Sequence, residues 1–105
     1  MATESVRSPD ADLEQFRALA DEWRAETSVL SDPTAKFMHP AYQRIIGMGR
    51  PALPLIFAEL RDRSGHWFWA LRAITGDDPV PRADAGSIRA MRKAWLDYGK
   101  QRGYL

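Results

Sequence analysis

Apolar side chains return every three or four residues along most of this chain, and that interval most constrains what it can fold into. Leu13, Phe16, Leu19, Ala20 and Trp23 form one such stripe, and Tyr42, Ile45 and Ile46 a second. Leu53, Ile56, Phe57 and Leu60 follow, then Trp67, Ala70, Leu71 and Ile74, and finally Ile88, Met91, Trp95 and Tyr98. On an α-helix, residues three and four apart share a face, so each stripe can bury while the charged remainder stays wet. Strand signals do not recur. The pattern predicts an all-α fold of about five helices.

Prolines and glycines divide the stripes. Ser8-Pro9 reads as an N-cap with proline at the first helical position, and Asp10, Asp12 and Glu14 lie where the helix dipole favours negative charge. This helix should end near Glu26. Asp32-Pro33 and His39-Pro40 each bias the preceding residue away from helical dihedrals, so "TSVLSDPTAKFMHPAYQ" is expected to be a connector holding a turn of helix. A second helix runs from Pro40 to Gly47-Met48-Gly49, two glycines suited to a tight turn, and Arg50-Pro51 restarts a third. So short a link makes these two antiparallel neighbours. Pro54 either kinks the third helix or marks a later start. Ser64-Gly65 separates it from "HWFWALRAIT", which Gly76 ends as a left-handed cap before the proline-pinned "DDPVPRAD". The last helix is expected over 85–101, with Gly103 as its stop.

At 105 residues the chain is one domain's worth, read as a disordered tail at 1–7 and a single helical domain at 8–105. Its core is expected to contain Phe16, Leu19, Trp23, Ile45, Leu53, Ile56, Phe57, Leu60, Trp67, Phe68, Leu71, Ile74, Met91 and Trp95. Cysteine is absent, which excludes a disulfide framework, a thiolate metal site and a cysteine nucleophile, and points to the reducing cytoplasm. The polar start shows no signal peptide, and no run is apolar enough for a membrane helix. Charge is uneven: residues 1–32 carry net −5, 33–81 net +2 and 82–105 net +4. An acidic first helix and a basic last one would attract if the chain ends meet.

"IIGMGRPALPLIFAEL" resembles the turn and second helix of a HEAT-type repeat. "WALRAITGDDPVP" followed by "AMRKAWLDYGKQRG" is similar to the closing segment of bacterial HEAT-repeat proteins: helix, Thr-Gly-x-Asp, loop, then a helix with an aromatic pair three apart, here Trp95 and Tyr98. More closely, "HPAYQRIIGMG" with "HWFWALRAITGDDPVP" resembles a group of small bacterial proteins without a characterised activity, over residues 23–104. The resemblance implies paired helices and supplies no function. With room for about two helical pairs, the chain is expected to close as a compact bundle with HEAT-like hairpins.

Successive helical residues stand ~100° apart, so Trp67, Phe68 and Trp69 cannot all enter one core. Trp69 is placed at the edge, where it either packs under the 77–81 loop or anchors a partner. His39 and His66 lack convergent ligands at metal spacing, and His66 reads as a capping or interfacial residue. Asp77 and Asp78 run straight into Pro79 and Pro81, unlike a calcium loop, so neither metal nor cofactor is expected. Neither a Gly-x-Ser-x-Gly elbow nor a phosphate loop occurs, and no catalytic residue is assigned. The expectation is a non-catalytic module that binds another protein, an accessory, regulatory or antitoxin-like subunit, through Trp69, Asp77, Asp78, Arg82, Met48 and Arg50. The alternative is nucleic-acid binding by Arg89, Arg92, Lys93 and Lys100 on the last helix, which requires those cations to be unengaged.

Overall fold

The apolar stripes close as helices. The computed structural model describes residues 9–63 and 65–105. Among these, α1 (Pro9–Thr27), α2 (Pro33–Phe37), α3 (Pro40–Met48), α4 (Leu53–Asp62), α5 (Phe68–Thr75) and α6 (Ile88–Gln101) follow in order. Short 3₁₀ turns stand at Arg50–Ala52 and Arg82–Asp84, and no described residue lies in a strand. The protein is all-α, and α2 is the helical turn expected in the connector. Ser8 with its capping role, the 1–7 tail and Ser64 lie outside the described residues. Within the span read as one domain, the helices gather into two compact units, Met1–Ala52 and Leu53–Leu105.

In the first unit, α1 buries Phe16, Leu19, Ala20, Trp23 and Thr27, its stripe extended by one turn. That face packs on α3, which contributes Ala41, Tyr42 and Ile45. Each large side chain so buried stabilises by ~1.5–3 kcal/mol before chain entropy is counted. Helix α2 buries none of its own residues. Phe37, half-buried, meets the Tyr42 ring at 5.7 Å, and polar contacts add to it: Asp32 caps the helix by accepting from the Thr34 N–H at 3.0 Å, and Trp23 Nε1–H donates to the Lys36 carbonyl at 3.0 Å. Only one of the two glycines expected to turn the chain does so. Gly47 is helical, and Gly49, at φ 73°, makes the break. Within this unit α3 packs on α1.

In the second unit, α4 packs on α5 and α6. Pro51 is the second residue of the 3₁₀ turn and Pro54 sits in the first turn of α4, where no helical donor is required, so the later start is the correct alternative and no kink is needed. At Gly99 the backbone of α6 comes close to a side chain of α4. A Cβ there would lie 2.8 Å from the Phe57 ring. A helical glycine costs about 1 kcal/mol relative to alanine, and here it makes room for that ring. Phe57 stacks on Tyr98 at 6.3 Å and Tyr104 at 5.4 Å, with Trp95 at 6.4 Å.

Three positions depart from the expected core: Phe68, Ile74 and Met91 are half-buried. Ile88, a member of the last stripe, is exposed. The buried face of α6 is confined to Trp95, Tyr98 and Gly99 in its C-terminal half, which leaves the stripe's first two members near solvent. Helix α6 also starts three residues later than expected. Gly86 takes φ 94° and Ser87 caps the helix by accepting from the Ala90 N–H at 3.2 Å.

Candidate functional site

The three consecutive rings separate as the 100° step requires. Trp67 is buried, Phe68 is half-buried and Trp69 is 45% exposed. The end of α5 then fixes what surrounds the exposed indole. Gly76 adopts the expected left-handed conformation and its N–H donates to the Arg72 carbonyl at 2.8 Å. Thr75 Oγ1 donates to the Leu71 carbonyl at 2.7 Å and accepts from the Asp77 N–H at 3.1 Å, carrying the helix end into the loop.

The two loop carboxylates face different partners. Asp77 accepts from the Tyr98 hydroxyl at 2.6 Å, and Arg102, whose guanidinium lies 4.6 Å from the Tyr98 ring centroid, approaches Asp77 at 3.8 Å. Burial, and then the Asp77 hydrogen bond, push the Tyr98 phenol above its ordinary value. Asp78 accepts from the Val80 N–H at 3.2 Å and meets Arg72 at 3.7 Å. Arg72 also lies 5.9 Å from the centre of the Trp69 ring. Trp69, Arg72, Ala73, Gly76, Asp77 and Asp78 line a shallow hollow of 200 Å³. The structure therefore brings together three of the six residues expected at a protein-binding surface: Trp69, Asp77 and Asp78. Arg82 is exposed at the start of its 3₁₀ turn, while Met48 and Arg50 belong to the first unit.

A larger groove of 410 Å³ opens between the 79–84 loop and α6. Pro79, Pro81 and Asp84 form one side, and Ala90, Lys93, Asp97 and Tyr98 belong to the other. Lys93 donates to Asp97 at 2.8 Å. Each holds the other in its charged form, Lys93 above and Asp97 below the ordinary value, through that hydrogen bond.

The basic residues of α6 do not form one open sector. Arg92 turns to the end of α4, where its Nε donates to the Leu60 carbonyl at 2.9 Å and its Nη2 to the Arg61 carbonyl at 2.6 Å. The last carbonyls of a helix lack intrahelical donors and favour a cation, so Arg92 completes α4. Lys93 is occupied by Asp97, and Arg89 and Lys100 are exposed. The expectation of four open cations is corrected on Arg92 and Lys93.

Sequence reasoning also missed a cluster in the first unit. His39 Nε2 lies 2.8 Å from Glu26 Oε1, and Glu22, one turn earlier on α1, completes a trio whose ligand-type atoms lie within 4.8 Å of one another. Capping falls to His39, the N-cap of α3, whereas the N-cap position of α5 is Trp67, one residue beyond His66. His39 Nδ1 accepts from the Ala41 N–H at 3.0 Å. A metal ion on Nε2 would need the lone pair there, sending the ring proton to Nδ1 and against that N–H. Both ring nitrogens are engaged, so the trio is suited to holding a proton. The spacing of Glu22 and Glu26 put both on one face of α1, but nothing local tied that face to His39.

Compared with protein-family models, curated proteins and solved structures, the chain matches none. No helix among the described residues is long and apolar enough to cross a membrane.

Proposed function

We propose that the protein acts without catalysis, as a small accessory or regulatory subunit that binds another protein through the surface around Trp69. The observation that carries this reading is the position of the indole, 45% exposed beside a loop already stitched by hydrogen bonds. Large aromatic rings on a preordered support are the usual anchors of protein interfaces, because little side-chain and loop entropy remains to be lost on binding. Asp77 and Asp78 supply the polar rim. The HEAT-like hairpin reading, which rests on "IIGMGRPALPLIFAEL", and a cytoplasmic place, which rests on the lack of cysteine, belong to the same proposal.

The nucleic-acid reading draws less support, since Arg92 and Lys93 are engaged within the second unit. The test is affinity capture from the native host with the full chain and with Trp69→Ala. A protein partner retained by the first and lost by the second, with the variant still folded, supports the proposal. Equal capture by both removes Trp69 from the interface, and salt-sensitive retention of nucleic acid revives the alternative.

A further inference from the structure

Helix α3 begins with a local demand for an acceptor. Pro40 at its first position has no N–H, so Ala41 carries the first amide that needs a partner, and Ala41 is buried. His39 Nδ1 meets it at 3.0 Å. A backbone N–H can only donate, so Nδ1 must present its lone pair and the neutral ring must carry its proton on Nε2. That Nε2–H points to α1, where Glu26 accepts it at 2.8 Å and Glu22 stands alongside. Two structures thus compete for one ring. The start of α3 needs it neutral, while the carboxylates of α1 favour it charged.

Protonation at Nδ1 would set N–H against N–H at the helix start. The charge pairing gained is with exposed carboxylates and is worth little, whereas the amide left behind is buried. The other charged residues on the last two turns of α1 and on α2 and α3 are Asp21 and Arg24, which pair with each other at 3.1 Å, Lys36 and Arg44. We propose that His39 is a proton switch at the joint of α1 and α3: neutral, it caps α3; protonated, it releases the helix start and stays with Glu26 and Glu22. This device is independent of partner binding at Trp69.

Amide hydrogen exchange and ring ¹⁵N shifts on the full chain test it. At about pH 8 the ring should be the Nε2–H tautomer. On acidification to about pH 5, the protection of the Ala41 amide, corrected for intrinsic exchange, should fall roughly fivefold to tenfold, the worth of an N-cap. His39→Asn keeps an acceptor of N-cap type that cannot titrate, so its Ala41 protection should stay flat. Glu22→Gln with Glu26→Gln should keep the fall, because the cap that is lost belongs to α3. An Nδ1–H tautomer at the upper pH, flat protection in the wild type or in the double variant, or an equal fall in His39→Asn overturns the proposal.

Discussion

Trp23 and Trp95 are both buried indoles, yet the two units of the molecule treat their N–H groups differently. In the first unit Trp23 donates to the Lys36 carbonyl at 3.0 Å, at the end of a helix that buries none of its own side chains. Gln43 Nε2 adds a second tie by donating to the Phe37 carbonyl at 2.7 Å. In the second unit Trp95 Nε1 has no hydrogen-bond partner. Trp95 is held by rings instead, Tyr98 at 5.2 Å and Phe57 at 6.4 Å. A short connector helix with one half-buried ring, Phe37 at 5.7 Å from Tyr42, relies on directed polar contacts for the rest of its hold. A stack of large rings can carry an orphan donor costing ~1–3 kcal/mol, because the shape of the indole is what the site uses.

The most severe test of that contrast is removal of the ring on which the second unit converges. Phe57 meets Trp95, Tyr98, Tyr104 and the backbone face left open by Gly99. Phe57→Ala should cost ~3–5 kcal/mol in urea unfolding, because the surrounding rings are too stiff to fill the cavity. A cost below about 1 kcal/mol would mean that the stack does not carry the unit.

The indoles themselves can be compared directly. Trp23→Phe and Trp95→Phe delete the same atoms from buried sites, so the transfer and cavity penalties should be similar. Trp23→Phe also loses a made hydrogen bond, whereas Trp95→Phe relieves an unmade one. Loss of stability should therefore be larger for Trp23→Phe by roughly 1–3 kcal/mol. Equal losses, measured side by side by chemical unfolding, would show that the Trp95 N–H finds a partner in solution.

Tyr98 gives the second unit a polar tie of its own. Tyr98→Phe removes the 2.6 Å bond to Asp77 and should cost about 1 kcal/mol near neutrality. Its pH dependence has a definite sign. Burial and Asp77 raise the phenol's titration above its ordinary value, so the fold favours the neutral form. That contribution is full below about pH 10, where the unfolded phenol titrates, and is lost as pH rises through the higher folded value. Thermal unfolding of the wild type should weaken in that alkaline window more steeply than that of Tyr98→Phe. Parallel curves would separate Tyr98 from the effect.

What the sequence disclosed follows the same division between local and distant causes. The stripe from Phe16 to Trp23, the left-handed Gly76 and the proline-started turn at Pro51 were legible because each is decided within a few residues. The 100° step foretold that one ring of the Trp67, Phe68 and Trp69 run must sit at the margin, though it did not foretell that Phe68 would be only half-buried. Arg92 on the α4 carbonyls, Tyr98 on Asp77 and His39 on Glu26 join residues 32, 21 and 13 positions apart. Periodicity says which face a side chain occupies. It does not say which helix end, loop or carboxylate that face will meet, so Arg92 was counted among open cations and His39 was left without its acids.

The last comparison concerns the fourth tryptophan and bears on function. Trp69 is 45% exposed, against at most 4% for Trp23, Trp67 and Trp95. About half of the residue leaves water on folding and its ring meets Arg72 in a cation–π contact, so Trp69→Ala should cost about 1–2 kcal/mol, well below Phe57→Ala. A ring on α5 that keeps nearly half its surface in water beside an ordered loop can offer that surface for association. If Trp69→Ala instead destabilises the protein as strongly as Phe57→Ala, the indole belongs to the packing of the second unit. The surface around it would then lose its claim as an anchor.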